Sequence, residues 1–194
     1  MLLDDVMPTW DATRCEHRIV DALPDAVYSA ALHADFLDAI RGNPAAKAMF
    51  AVRATFEKVV GGGKAGLQPE PEHLRLDEME TKGDWVLLGT DRPHEIAFGV
   101  VGRFWGGETE WEQIEAADFA KFDRPGFARI GCNVSMRPYG EGRTLLSYEA
   151  RTLATDDASR RSFLRYWRVV SPFVGFIMRS MLRVIEGEAR GPVR

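Results

Sequence analysis

Glu149, Tyr148, Arg103 and Asn133 are the side chains in this sequence whose types and placement could serve a reaction. A carboxylate or phenol passes a proton only when it lies at hydrogen-bond distance from the reacting atom. An arginine at a strand end can meet a carboxylate or phosphate. None of the four belongs to a recognised catalytic spacing, so the catalytic residues stay unassigned. His17, His33, His73 and His94 are scattered singly, with no HExxH pair, and neither a metal site nor a cofactor is expected. There is no CxxC, no GxSxG and no triad spacing. The run GGGKA at 61–65 fails as a phosphate loop, because Ala65 stands where Ser or Thr must follow the lysine. It reads as a linker.

Those side chains must be positioned by something, and the composition allows one well-buried core. The chain has 194 residues, 45% hydrophobic and 28% charged, which is ordinary for a single globular domain. A net charge of −4 argues against a general nucleic-acid binder. Cys15 and Cys132 lie far apart in strand-like runs and read as free thiols of a reducing compartment. The opening MLLDDVMPTWD has acids where an export signal needs positive charge. The uncharged run Val169–Met178 is far short of the ~20 residues that span a bilayer. A cytoplasmic protein without an integral membrane segment is expected.

The strongest pattern is at the end. Phe163, Trp167, Val170, Val174, Ile177, Met178, Met181 and Ile185 share one face of a helix over Asp156–Arg190, in phase across Pro172. Arg161, Arg165, Arg168, Arg179, Arg183 and Arg190 form a narrow opposite stripe, read chiefly as a solvated face. Thr155 is placed to cap this helix, with Asp156 and Asp157 in its first turn. Such a helix needs a surface to receive its apolar face. Strands are expected at Arg14–Ala22, His73–Met79, Asp84–Gly89, His94–Trp105, Gly126–Pro138 and Arg143–Ala154, the last five at hairpin spacing. Short helices are expected from Pro24 through Leu32 and over Pro44–Lys58, with a loop at 61–72 and a short helix at Glu115–Phe122. Strands bracketed by helices, without βαβ alternation, indicate α+β with an antiparallel sheet.

Two strands have readable faces. In Gly126–Pro138 the apolar Ala128, Ile130, Cys132, Val134 and Met136 alternate with mostly polar residues, which reads as a half-buried strand. In Arg143–Ala154, Leu146, Tyr148 and Ala150 oppose Ser147, Glu149 and Arg151; a Glu149–Arg151 ion pair is the simpler reading of that polar face. Glu95–Trp105 is apolar on both faces and so central, with Gly99 and Gly102 marking a bend or a close approach. Arg103 and Trp105 share its far end, where a surface ion pair is the simpler role for the arginine.

The stretches IVDALPDAVYSAAL (19–32), HEIAFGVVGRFW (94–105), GRTLLSYEARTLATD (142–156) and RRSFLRYWRVVSPFVGFIMRSML (160–182), in this order, resemble the START-like or Bet v 1-like superfamily, also called SRPBCC. Within it the chain resembles a bacterial subgroup related to polyketide cyclase/dehydrase and lipid-transport proteins. The resemblance implies one domain over 14–190, after a poorly ordered lead-in at 1–13. The implied fold is a helix-grip: a curved antiparallel sheet wrapped around a long C-terminal helix, with two short helices after the first strand. It also implies a deep cavity between sheet and helix. No catalytic residue carries over, because the superfamily shares no catalytic motif. Leu23 departs from the Ser or Pro of many members, and the acidic insert Gly106–Phe122 has no general counterpart.

The function this suggests is binding of a small hydrophobic or amphipathic molecule between sheet and helix. Its candidate lining is Phe98, Arg103, Trp105, Asn133, Tyr148, Glu149, Trp167, Val170 and Val174. The alternative is a polyketide cyclase/dehydratase-like enzyme acting on a hydrophobic substrate through the four polar residues first named. A third reading is a protein-interaction module using the arginine stripe. Oligomeric state has no signature in the sequence.

Overall fold

A computed structural model describes residues 1–35, 75–78, 84–105 and 109–191. Its elements are α1 (Leu2–Val6), β1 (Ala12–Val20), α2 (Pro24–His33), β2 (Val86–Asp91), β3 (Glu95–Arg103), β4 (Glu110–Glu112), α3 (Ala116–Phe119), β5 (Ala128–Pro138), β6 (Thr144–Ala154) and α4 (Asp157–Arg190). All strand pairings are antiparallel, in the order β1-β6-β5-β3-β2, and β4 extends the sheet beside the end of β3. The long helix α4 lies over β1 and β6 and also packs on α2. This is the α+β helix-grip arrangement that the resemblance implied. The expected helix at Pro44–Lys58 and the loop at 61–72 lie outside the described residues.

The terminal helix keeps one apolar face through 34 residues, and Pro172 sits on its exposed side. There the carbonyl freed by the missing N–H faces water, so the helix continues. Its cap is Asp156 rather than Thr155. The Asp156 carboxylate accepts from the backbone N–H of Ala158 at 2.9 Å and of Ser159 at 3.0 Å. It also takes the Ser159 hydroxyl and the Gly126 N–H, and these bonds hold its pKa well below the usual carboxylate range. Thr155 instead donates its hydroxyl to the Phe127 carbonyl, closing the ladder just before the helix begins. Helix α2 starts at Pro24 behind Leu23, which supplies no side-chain cap.

The sheet is buried on both faces. On one side α2 and α4 cover Ile96, Phe98, Cys132, Val134, Met136, Leu146 and Tyr148. On the other, α1 and α3 bring Leu3, Met7 and Phe119 onto β2, β3 and β5. Two expectations change as a result. Strand β5 is not half-buried: Asn133 and Ser135, on its polar side, are 1% and 7% exposed. And residues 1–13 are not a loose lead-in, because Leu3 and Met7 are fully buried. A Cβ at Gly131 would stand 2.6 Å from Leu3 Cδ1, so glycine there is what lets α1 approach β5. Gly99 serves Phe119 in the same way, as its close-approach reading expected.

Further along, β2 begins two residues after the expected start, with a register shift between Leu87 and Gly89. Of the expected strand His73–Met79, the described Leu76–Glu78 is a single 3₁₀ turn whose Leu76 joins the core beneath α2. The acidic insert supplies β4 and the short α3. No helix among the described residues is long and apolar enough to cross a membrane.

Replacing Leu3 by Ala tests whether α1 belongs to the fold. A fully buried leucine lost from a packed face costs about 3 kcal/mol. Urea denaturation should show that loss with an unchanged slope; a stability within error of wild type would make residues 1–7 an appendage.

Candidate functional site

Directly opposed residues in an antiparallel ladder share a face, so the pairing assigns each side chain to one side of the sheet. One row runs Phe98, Cys132, Ala150, Arg14 from β3 across β5 and β6 to β1. On one side of it runs Ile96, Val134, Tyr148, Glu16, and on the other Val100, Ile130, Thr152, Ala12. These rows face α2 and α4, and α4 presents Val174, Ile177, Met178 and Met181. Trp85 meets the Phe98 ring edge-on with centroids 5.6 Å apart, and Phe98 lies 6.1 Å from the Tyr148 ring.

Within this layer the packing is uneven. Trp85, Leu87, Ile130, Ala150, Val174 and Ile177 belong to the core between sheet and helices yet remain partly accessible. Ile130 and Ala150 are on strands with neighbours on both sides, so solvent does not reach them from a sheet edge. Their side chains point to the face that α2 and α4 cover. On this face Cys132 and Tyr148 lie on adjacent strands, both buried. Burial pushes the Cys132 thiol up to about 12 and the Tyr148 phenol well above its usual value. Both are therefore neutral at physiological pH: a dry polar pair, not a nucleophile.

The nine expected lining residues separate into four places. Phe98, Tyr148 and Val174 share the sheet–helix space. Trp105, Trp167 and Val170 belong to an aromatic cluster at the start of α4, built with Phe104, Phe163 and Tyr166. Arg103 is at the sheet rim, donating to Glu110 Oε2 at 2.8 Å. The chain leaves the strand after Arg103, so Trp105 turns under Phe163 and the two do not share a surface.

Asn133 and Glu149 lie on the opposite face of the sheet from α4, by the same pairing. Asn133 Nδ2 donates to Glu95 Oε1 at 2.7 Å, and the Leu2 N–H donates to Glu95 Oε2 at 3.0 Å. Glu149 accepts from Arg151 Nε at 2.7 Å. Arg151, 4% exposed, also donates to Met7 O at 3.0 Å, pairs with Asp4 at 2.7 Å and lies over the Trp10 ring. Burial works against the Arg151 charge, but Glu149 and Asp4 hold it firmly in place. Glu149 is thus a structural partner, as its ion-pair reading had it. On this same face, Met1, Asp91, His94, Glu95, Ser135 and Arg137 surround a half-open depression of about 300 Å³.

Sequence reasoning did not select Arg14, Glu16 or Gly175. The charges at 14, 16 and 18 alternate with Cys15, His17 and Ile19, and the structure turns the charged set toward α4. Arg179 donates to Glu16 at 2.7 Å, while Arg18 pairs with Glu186, and Arg190 with Asp21 and Glu186. Two arginines of the expected solvated stripe are therefore fixed to β1 or its exit. A usable signal was present: acids and bases on one strand face, matched by opposite charges along the helix. Cys15 is exposed on the outer face of β1, with Sγ 3.6 Å from His17 Nε2. Burial, then the charges of Glu149 and Glu16, raise its pKa, which disfavours the thiolate. Because Cys15 and Cys132 lie on opposite faces, no disulfide joins them. Among the described residues no group of three or more metal-ligating side chains occurs.

No protein-family model and no curated protein matches this chain. Among solved structures it is similar to a conserved protein from Geobacillus kaustophilus, at 12% identity over 92% of this chain and 95% of that one, with a TM-score of 0.42. It is also similar to an aromatase/cyclase from Streptomyces sp. R1128, at 13% identity over 94% and 96%, with a TM-score of 0.33. An HSP90 activator from Plasmodium falciparum matches at 10% identity over 84% and 96%, with a TM-score of 0.31. At such identities no side chain of theirs can be carried onto a position here.

The two thiols should behave differently. In mildly alkaline buffer an aromatic disulfide reagent is expected to modify Cys15 and spare Cys132 until the protein unfolds. Because the Cys15 pKa is raised, its rate should keep climbing at pH values where an ordinary thiol has levelled off. Two rapid equivalents in the native state would contradict this.

Proposed function

We propose that this chain binds a small hydrophobic or amphipathic molecule in the space between its sheet and α4. The observation that carries the reading is the partial accessibility of Ile130 and Ala150 beneath a helix, on strands that have neighbours on both sides. Interiors normally close-pack to crystal-like density, so apolar side chains left accessible there mark room that a ligand could fill. The surround is aromatic and aliphatic, and its polar members are few: the Cys132–Tyr148 pair and the charged side chains of β1.

Catalysis of the cyclase or dehydratase kind has less support. Glu149 and Asn133 are behind the sheet, and Arg103 is in an ion pair at its rim. Tyr148 alone of the four polar candidates faces the space, and its proton is held there by burial. An interaction module using the arginine stripe would rest on Arg161, Arg165, Arg168 and Arg183, which remain exposed.

A panel of fatty acids, sterols, flavonoids and polyketide-like aromatics, scored by thermal shift, tests the reading. A ligand at a hundredfold excess over its Kd stabilises the native state by about 2.7 kcal/mol, a rise of roughly 5–10 °C for a domain of this size. Ala150→Leu adds bulk to the floor of the space and should abolish that rise while leaving the unliganded protein folded. No shift from any class, or an unaltered shift in the variant, would reject the proposal.

A further inference from the structure

The polar residues at the β1 side of this space are not charge-balanced. Arg14 Nε and Nη2 both donate to Glu16 Oε1, at 2.8 and 2.5 Å, and Arg179 Nη1 donates to the same oxygen at 2.7 Å. Two guanidinium groups thus share one carboxylate oxygen. Despite the cost of burial, their hydrogen bonds hold the Glu16 carboxyl below its ordinary range, so the acid is charged and one positive charge is left over. The neighbouring group along the same seam has no such excess: Arg18 and Arg190 are matched by Glu186 and Asp21. Among the described residues, the surplus is confined to the Arg14 end.

Arg14 is held there by design of the helix above it. A Cβ at Gly175 would stand 2.6 Å from Arg14 Cζ, so any larger residue there would push the guanidinium out of this position. The opposed residue on β6 is Ala150, whose short side chain leaves accessible space directly beside Arg14. Beyond it the row continues through Cys132 to Phe98 and Trp85. Three strand spacings separate Arg14 from Phe98, roughly 14 Å. The row therefore has an apolar floor with an aromatic end and a cationic end.

Resting on the ligand-binding reading above, we infer that the ligand is an amphipathic carboxylic acid, its carboxylate received by Arg14 and its apolar body lying across Ala150 and Cys132 toward Phe98. A planar guanidinium with unused N–H donors suits a carboxylate in shape as well as charge. A monoanion neutralises the single surplus charge.

Matched fluorescent probes test this: 1-pyrenebutyrate and its alcohol, 1-pyrenebutanol, titrated into the full chain. The acid should bind at least tenfold more tightly than the alcohol. In Arg14→Met the acid should fall to within about threefold of the alcohol, whose own Kd should hardly change. Gly175→Ala, which forces the guanidinium aside, should reduce the preference in the same direction and serves as the test should Arg14→Met not fold. Equal binding of the two probes to wild type would overturn the carboxylate assignment while leaving the ligand-binding reading intact. Binding of neither would remove both. Loss of both probes in an Arg14→Met protein that melts like wild type would make Arg14 a packing residue and overturn the inference.

Discussion

The eleven-pair ladder between β5 and β6 is the constraint on which the other features depend. Its pleat sends Cys132, Val134, Tyr148 and Ala150 toward α4 and Asn133, Glu149 and Arg151 away from it. Because side chains alternate strictly, a slip of one residue would place Glu149 and Arg151 beneath an oily helix and Leu146 and Tyr148 beneath α1. Charges moved into an apolar layer without their partners are expensive enough to forbid that register. The ladder therefore decides which residues can meet a ligand and which only hold the fold together.

On the far side, Arg151 is the case that most invites a functional reading and least supports one. It is buried, charged and surrounded by acids, as many binding arginines are. Yet its donors are taken by Glu149, Asp4 and the Met7 carbonyl, all from the chain's own structure. A buried ion pair of this kind contributes little net stability, because desolvation offsets much of the attraction. What it provides is register: with Leu3 and Met7 it fixes the N-terminal segment against β5 and β6.

Much of this architecture was legible in the sequence, and the failures share a cause. The phase of α4, the two-sided burial of β3 and the pairing of Glu149 with Arg151 follow from periodicity and charge. Phe98, Tyr148 and Val174 do come together. Asn133 and Glu149 were grouped with them because alternation gives two faces without saying what covers each. With α1 unforeseen, the polar side of β5 looked like solvent and the choice of face stayed open. Five helical residues in α1 are too few for a periodic signal, so only the buried Leu3 and Met7 reveal the element. The cap missed by one residue, Asp156 for Thr155, reflects two adjacent side chains that can both cap, of which aspartate is the stronger.

How the helix is held also bears on the ligand space proposed below it. A helix drawn to a sheet by apolar contact alone would settle until the space closed, since voids forfeit dispersion energy. Here α4 is propped at separate points. Phe104, Trp105 and Phe163 form a thick aromatic wedge near its start, with ring centroids 5.1 to 6.1 Å apart. Along β1, Arg14, Glu16 and Arg18 stand between strand and helix where small apolar residues would have allowed closer approach. Bulky rings and paired charges both resist compression, the second because a closer approach would strip the ions of their remaining water. Between these supports the middle of the helix gives Val174 and Ile177 to the same core that Ala150 and Ile130 join. Substituting the charged supports with small apolar residues would thus be expected to bring helix and sheet together, and in the proposed binding mode the ion pairs of β1 keep the space open as well as forming part of its wall.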